Sequence, residues 1–436
     1  MGAGVRRHHR TLDHSGRSRG LSGKGRSLAA LDGLNFFLAD VQSGLGPFLG
    51  IYLLTEPGWN AESIGAILTI SGVASLVVQT PAGALIDRTR HKRALVIAAA
   101  VLVSVGAAVV TVTPSFPVVT AAQVVIGVAG AIFPPALAAI ALGLVGPRGY
   151  AYRTGRMQAF NHAGNVIGAA VAGIAGYLIT IRAGFWLTSI LGIFVVLATL
   201  AINGRLIDHD LARGWQPQHA EKDKPSGFAV LLRCRPLLLL AVSVLLFHLA
   251  NAAMLPIMGQ KLALRNSGEG TLFQAALIIV AQLVMIPMAI LVGRRADVWG
   301  RKTIFLAAFL ALPLRGVLFT LSNNSAYLVG VQVLDGVGAG IFGAVFPVMV
   351  ADLTRGTGRY NVAFGAATTM QGIGAALSTT LAGAVIVFGG YDLAFFTLAG
   401  IALVALLLFS CAVPETSPAK LIVSGEPQPV TQPETG

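Results

Sequence analysis

An all-α integral membrane protein, with twelve transmembrane helices in two pseudo-symmetric six-helix bundles, is the architecture this sequence predicts. Three observations predict it. Of 436 residues, 55% are hydrophobic and 11% charged, against about 25% charged in soluble domains. The apolar residues fall into twelve runs of membrane-spanning length, and twelve spans of roughly 22 residues use about 264 residues. A motif between the second and third runs returns between the eighth and ninth at an offset of 210 residues. Too little polar material remains to coat a globule, which excludes a soluble monomer, a secreted disulfide scaffold and a nucleic-acid-binding domain despite the net charge of +13.

The runs, bounded by charged residues or Gly/Pro punctuation, cover 29–53, 62–86, 94–112, 117–143, 156–180, 184–203, 236–259, 271–293, 303–321, 326–350, 361–388 and 392–412. Residues 1–28 are basic without an apolar signal-peptide region, so an unstructured cytoplasmic arm is expected. The first six-helix bundle is assigned to 29–203, a polar cytoplasmic loop to 204–235, the second bundle to 236–412 and a cytoplasmic tail to 413–436. With the N-terminus inside, 27 of 31 Lys/Arg fall on one side, leaving Arg182, Lys261 and Arg265 opposite and Arg315 within a span. The positive-inside rule then predicts a cell inner (plasma) membrane protein with both termini cytoplasmic. Cys234 and Cys411 have no metal-ligand spacing, so no metal or cofactor is expected.

Polar residues inside apolar runs are the functional candidates, because a bilayer core penalises them unless they are paired or face water. Asp40 lies about 16 Å into the first span at 1.5 Å per residue, with no Lys or Arg in that run. It reads as a proton carrier, or as a protonated acid packed between helices. Gln158, Asn161, His162 and Asn165 fall at i, i+3, i+4 and i+7 on one face of the fifth span. That stripe reads as the wall of a water-filled path, or as interhelical hydrogen-bonding glue. His248 and Asn251 share a face of the seventh span, and His248 and His162 are further proton-coupling candidates. Arg315 and Asp335 sit at one depth in neighbouring spans and are expected to form a buried ion pair, since an unpaired arginine there would be far costlier. Were Arg315 to reach a cavity instead, an anionic substrate would follow.

The repeated motif carries the resemblance. Gly83-Ala-Leu-Ile-Asp87-Arg88, followed by Arg90, Lys92 and Arg93, matches Gly293-Arg-Arg-Ala-Asp297, followed by Gly300, Arg301 and Lys302. Gln123-Val-Val-Ile-Gly127 similarly matches Gln332-Val-Leu-Asp-Gly336 at an offset of 209. Repeated halves of equivalent topology are the construction of alternating-access carriers. The loops resemble the G-x-L-a-D-R-x-G-R-[RK] signature of the major facilitator superfamily, and the resemblance covers essentially the whole apolar chain. Relative to the drug–proton antiporters within it, Arg90 replaces the second loop glycine, Gln123 an arginine, and Asn165 the proline of the fifth-span signature. The resemblance implies that Gly83, Asp87 and Arg88, with Gly293, Asp297 and Arg301 as the second copy, gate one face by contacting the opposite half. It also places the first, fourth, seventh and tenth spans around a central cavity, and with them Asp40, Gln123, His248, Gln332 and Asp335.

The expected function is therefore secondary active transport of a small organic solute by alternating access, as proton-coupled efflux from a monomer in the lipid bilayer. Its expected partners are the solute, protons and lipid, and no nucleic acid. Proton-coupled uptake of an organic acid or metal chelate would use the same acids, and a passive facilitator would show no pH coupling. A receptor or scaffold is a different class and would have no use for the fifth-span stripe. No phosphate-cradling G-x-x-x-x-G-K-[ST] loop and no nucleophile–base arrangement points to an enzyme.

Overall fold

The computed structural model describes residues 14–43, 46–180, 182–215, 229–265 and 270–417. The first half comprises α1 (His14–Ser43), α2 (Gly46–Leu54), α3 (Ala61–Arg88), α4 (Lys92–Val112), α5 (Phe116–Gly130), α6 (Phe133–Leu178) and α7 (Ala183–Ala201). A 3₁₀ turn at Gly204–Leu206, α8 (His209–Ala212) and α9 (Ala229–Arg233) lie in the connection. The second half comprises α10 (Arg235–Asn251), α11 (Met254–Arg265), α12 (Gly270–Trp299), α13 (Arg301–Leu321), α14 (Ser325–Val331), α15 (Val333–Leu353) and α16 (Tyr360–Ala412).

Among the described residues, nine helical stretches are long and apolar enough to cross a membrane. Two are of double length. α6 has 46 residues and α16 has 53, or about 69 and 80 Å at 1.5 Å per residue, more than twice a ~30 Å hydrocarbon core. Each breaks at a glycine in the left-handed region, Gly146 (φ 69°) and Gly390 (φ 80°), a conformation glycine adopts without a Cβ penalty. The fourth span is thus α5 plus the start of α6, the fifth is the rest of α6, and the eleventh and twelfth are the two arms of α16. The first, seventh and tenth spans are each divided, into α1–α2, α10–α11 and α14–α15.

Three boundaries differ from the sequence expectation. α1 begins at His14, so residues 14–28, expected to be unstructured, extend the first span as helix; residues 1–13 lie outside the described residues. In the central loop, 204–215 dock onto the bundles, while 216–228, with Lys222 and Lys224, lie outside the described residues. After α16, Glu415–Ser417 fold back onto α12 and α13. Glu415 Oε1 accepts from the Arg301, Thr416 and Ser417 backbone N–H groups at 2.9 Å, and Ser417 Oγ donates to Asp297 O at 2.9 Å. Residues 418–436 lie outside the described residues.

The halves meet along two equivalent crossings, α3 with α16 and α6 with α12. At the first, a Cβ on Gly83 would stand 2.7 Å from the Asn361 carbonyl carbon and 2.9 Å from Val362 Cα. At the second, a Cβ on Gly155 would stand 2.7 Å from Gly293 Cα. The same 210-residue offset relates Gly83 to Gly293, Gly155 to Gly365, and Tyr150 to Tyr360. The two tyrosine hydroxyls share a hydrogen bond of 2.5 Å across the interface, marking the pseudo-twofold axis. Backbone meets backbone at these glycines, so no side chain can yield. Gly155→Ala is expected to force α6 from α12 at an overpacking cost of about 1–3 kcal/mol. In a Cys411→Ser background, labelling of a cysteine introduced at Gln79 by an impermeant maleimide from the basic face should rise about tenfold; unchanged labelling would show that the crossing tolerates a methyl group.

Candidate functional site

A cavity of about 610 Å³ opens between the halves. Helix breaks and small residues make room for it. α5 ends at Gly130, α6 restarts at Phe133-Pro134-Pro135, and Gly72, Gly127 and Gly130 line the space. Its polar lining is Gln42 of α1, Ser71, Ser75 and Gln79 of α3, Gln123 of α5, Gln158 of α6, and Thr368 and Gln371 of α16. Phe342 and Phe346 of α15 and Phe364 of α16 form an apolar wall. Among the described residues, every lining side chain is uncharged.

On the face carrying the basic loops, successive layers of contacts between halves close the cavity. Gln158 Nε2 donates to Gly343 O at 2.9 Å, and the Thr80 and Thr369 hydroxyls lie 3.2 Å apart. Beneath them come the Tyr150–Tyr360 pair and then Asp87. Asp87 Oδ1 accepts from Asn361 Nδ2 at 2.8 Å and Asn361 N at 3.2 Å, while Oδ2 accepts from Val362 N at 2.8 Å. The carboxylate therefore caps the N-terminus of α16, where orphan N–H groups and the helix dipole favour a negative charge. The connection adds a strap, in which Arg213 O accepts from Tyr360 N at 3.1 Å and Ala212 O from Asn361 Nδ2 at 2.9 Å.

The second motif copy is built differently. Asp297 accepts from Arg301 Nη2 at 2.9 Å within its own half, and Arg301 also pairs with Asp352. Gly293 makes the equivalent crossing against Tyr152 and Gly155, but Asp297 makes no cap on the opposite half among the described residues. Arg88 is exposed.

Several sequence candidates lie away from the cavity. Asp40 is not in its lining: it is buried between α1, α6 and α7, accepting from Thr188 Oγ1 at 3.0 Å, and the Gly168 backbone packs against it. Gly164 and Gly168 let α1 approach α6 so closely that this side of α1 faces its own bundle. Of the fifth-span stripe, only Gln158 lines the cavity. Asn161 Nδ2 donates to Asn35 O at 3.4 Å, Asn165 Nδ2 donates to Asn161 Oδ1 at 3.3 Å, and His162 Nδ1 meets Gln282 Oε1 of the opposite half at 2.9 Å. His248 stands one layer behind the wall, with Nδ1 at 3.1 Å from Val244 O and its ring edge-on to Phe342.

Asn251, Gln332 and Asp335 also leave the cavity, drawn to Arg315. Arg315 Nη1 bonds Asp335 Oδ1, Nη2 donates to Asn251 Oδ1 at 2.7 Å, and Gln332 Nε2 donates to Asp335 Oδ2 at 2.8 Å. A buried guanidinium needs several acceptors, and these are the ones within reach. Gln123 is the member of the repeated Gln-x-x-x-Gly pair that stays on the cavity, and its neighbour Gly127 packs on Ser71.

Asp32, which the sequence reads as an interfacial acid nearer the cytoplasmic face, is instead buried, accepting from Arg153 Nη2 at 2.6 Å and Arg156 Nε at 2.8 Å and clamping α1 to α6. Sequence reasoning missed Asn361, Gln42 and Gln79. The tyrosine pair carried a usable signal, because Tyr150 and Tyr360 stand at the offset already seen in the loop motif.

A family model described as the Major Facilitator Superfamily matches residues 31–312 and 240–434. The chain is 50% identical over 403 residues to proteins named uncharacterized MFS-type transporters in Mycobacterium tuberculosis strains CDC 1551 / Oshkosh and H37Rv, covering 92% of this chain and 96% of each relative. Among solved structures, the human organic anion transporter MFSD10 (TETRAN) superposes with a TM-score of 0.69 at 16% identity, over 88% of this chain and 99% of that one. FucP, crystallised in an outward conformation, gives a TM-score of 0.69 at 14% identity, over 89% and 99%. Two repeated bundles meeting at glycine crossings around a central cavity, together with these matches, establish that the chain belongs to the major facilitator superfamily and is a secondary transporter.

Proposed function

We propose that the protein exports a small organic solute in exchange for protons by alternating access. One observation carries this reading: among the described residues, contacts that can be exchanged close the cavity on the face carrying the basic loops. Among the described residues, every ion pair lies within one half or within the connection. Contacts between halves are hydrogen bonds and glycine crossings. Strong pairs make each half a rigid body, and the weaker interface lets the halves rock. If the basic face is cytoplasmic, as the charge bias favours, the cavity faces outward here.

Asp40 suits a proton carrier because its proton can be accommodated without breaking contacts. Thr188 Oγ1 is within reach of both Asp40 Oδ2 (3.0 Å) and Gly184 O (3.2 Å). A charged Asp40 accepts from the hydroxyl; a protonated one donates to it while the hydroxyl turns to Gly184. Val41 and Gln42, the next two residues, line the cavity, so this exchange adjoins the solute. Export is the favoured direction because apolar walls with neutral amides suit amphiphiles entering from the membrane.

The test is a lumenal pH dye in proteoliposomes, with metabolites and toxic amphiphiles added outside. Solute entry should alkalinise the lumen in the wild type, and Asp40→Asn should reduce that signal at least about tenfold. Acidification would replace exchange by uptake symport, and solute flux without a pH change would remove Asp40 from the mechanism. A reporter fused after Gly436 should be cytoplasmic in the cell inner membrane.

A further inference from the structure

We infer that the solute is an amphiphile whose alkyl tail leaves the cavity sideways, through a slot between α3 and α16, into the leaflet opposite the basic loops. Its head, bearing hydroxyl or amide groups, stays in the cavity. This rests on reading the cavity as the transport site. The slot is a departure from the pseudo-twofold symmetry. The 210-residue offset that relates the two crossings pairs Gly72 with Gln282 and Gly372 with His162. Between α6 and α12, His162 Nδ1 and Gln282 Oε1 join the halves at 2.9 Å. Between α3 and α16 the same two positions are glycines, and neither has a side chain to bridge the gap.

Packing changes at that level. Leu76 of α3 lies over Gly372, but one turn farther from the basic loops a Cβ on Gly72 would meet nothing within 4 Å among the described residues. Six of residues 66–73 on α3 are exposed, against three of the equivalent residues 276–283 on α12. On α16, residues 360–367 are all buried; over 374–390 only Gly374, Ser378 and Ala382 are, the stripe that meets Leu245 and Ala253. The slot opens from the cavity itself, since Leu68, Gly72 and Ser75 of α3 and Thr368 and Gln371 of α16 are lining residues. Ser75 and Gln371 adjoin Leu76 and Gly372, are half-buried and make no hydrogen bond among the described residues, so they are available to a polar head. The slot's rims are apolar, with Leu68 41% and Leu377 53% exposed, and neither 63–86 nor 361–388 contains a charged residue. An amphiphile fits both environments: its tail stays in hydrocarbon while its head meets hydrogen-bonding groups, so neither part is moved into the other's medium.

The test uses N-dodecyl gluconamide carrying a diazirine at the end of its tail, photolysed with the full chain in phosphatidylcholine nanodiscs. Labelled residues are mapped by mass spectrometry with and without excess unlabelled amphiphile, which subtracts general lipid contact. Competable labelling should favour residues 66–73 and 372–380 over the equivalent 276–283 and 162–170 by at least about tenfold, the factor carried by moving roughly two methylenes between lipid and water. Ala376, exposed one turn beyond Gly372 on the same face of α16, offers a way to fill the slot. Ala376→Trp should cut the labelling by a similar factor, while N-butyl gluconamide, whose chain needs no exit, should bind within about twofold of wild type. The comparison of the two crossings in the wild type stands even if that variant folds poorly. Equal labelling of the crossings, no competable labelling, or labelling untouched in a folded Ala376→Trp variant would overturn the inference. Competable labelling of the slot without flux of the amphiphile in proteoliposomes would sink the transport reading alone, and flux without labelling of the slot would sink the slot alone.

Discussion

Asp335→Leu is expected to destabilise the protein by about 3–5 kcal/mol, because it leaves a buried cation without its counter-charge. Arg315 is 1% exposed, and after the substitution Asn251 would be its remaining hydrogen-bonding partner among the described side chains. An arginine cannot shed its proton to escape the cost, whereas a carboxylate can. Arg315→Met should therefore be the milder lesion, since Asp335 can protonate and keep its bond from Gln332. The double substitution Arg315→Met/Asp335→Leu should recover most of the loss, as apolar replacements of buried pairs commonly do. Thermal unfolding and monodisperse yield in detergent check the order. Equal losses in the two single variants, or no recovery in the double, would show that the pair is not isolated from water.

Asp87→Ala is expected to open the basic face. Three donors from Asn361 and Val362 converge on this carboxylate. Losing a helix cap with a charged acceptor costs about 1–3 kcal/mol, a shift of roughly 5- to 150-fold in the equilibrium between closed and open forms. Asp297→Ala should shift it far less, because Asp297 is 46% exposed at its side chain and bonds Arg301 within its own half. Distances between spin labels placed on α3 and α16 in each variant decide the matter. Equal shifts would mean that both copies act as gates and that the asymmetry seen here has no energetic weight.

The lesson of these residues is about which face a helix turns to which neighbour. Gln158, Asn161, His162 and Asn165 share one stripe of α6 by spacing alone. The stripe is wide enough to touch α15 through Gln158, α12 through His162 and α1 through Asn161. One periodic signal was thus divided among three partners. Asp40 shows the same limit: counting residues places it along its helix, but its direction was fixed by Gly164 and Gly168 drawing α1 onto α6.

What the sequence alone determined was the number of spans, the basic face and the repeat. Hydropathy, charge bias and the 210-residue offset are properties of the chain in order, and the bilayer acts on each span nearly independently. Pairing of Arg315 was legible for the same reason, since a mid-membrane cation must find an acid somewhere near its own depth. Tertiary structure alone decided which polar groups face the cavity and why Asp87 caps the opposite half while Asp297 does not. Those outcomes depend on rotation about each helix axis, which is set by close glycine crossings between segments as far apart as Gly83 and Asn361, and no local pattern encodes a contact across that distance.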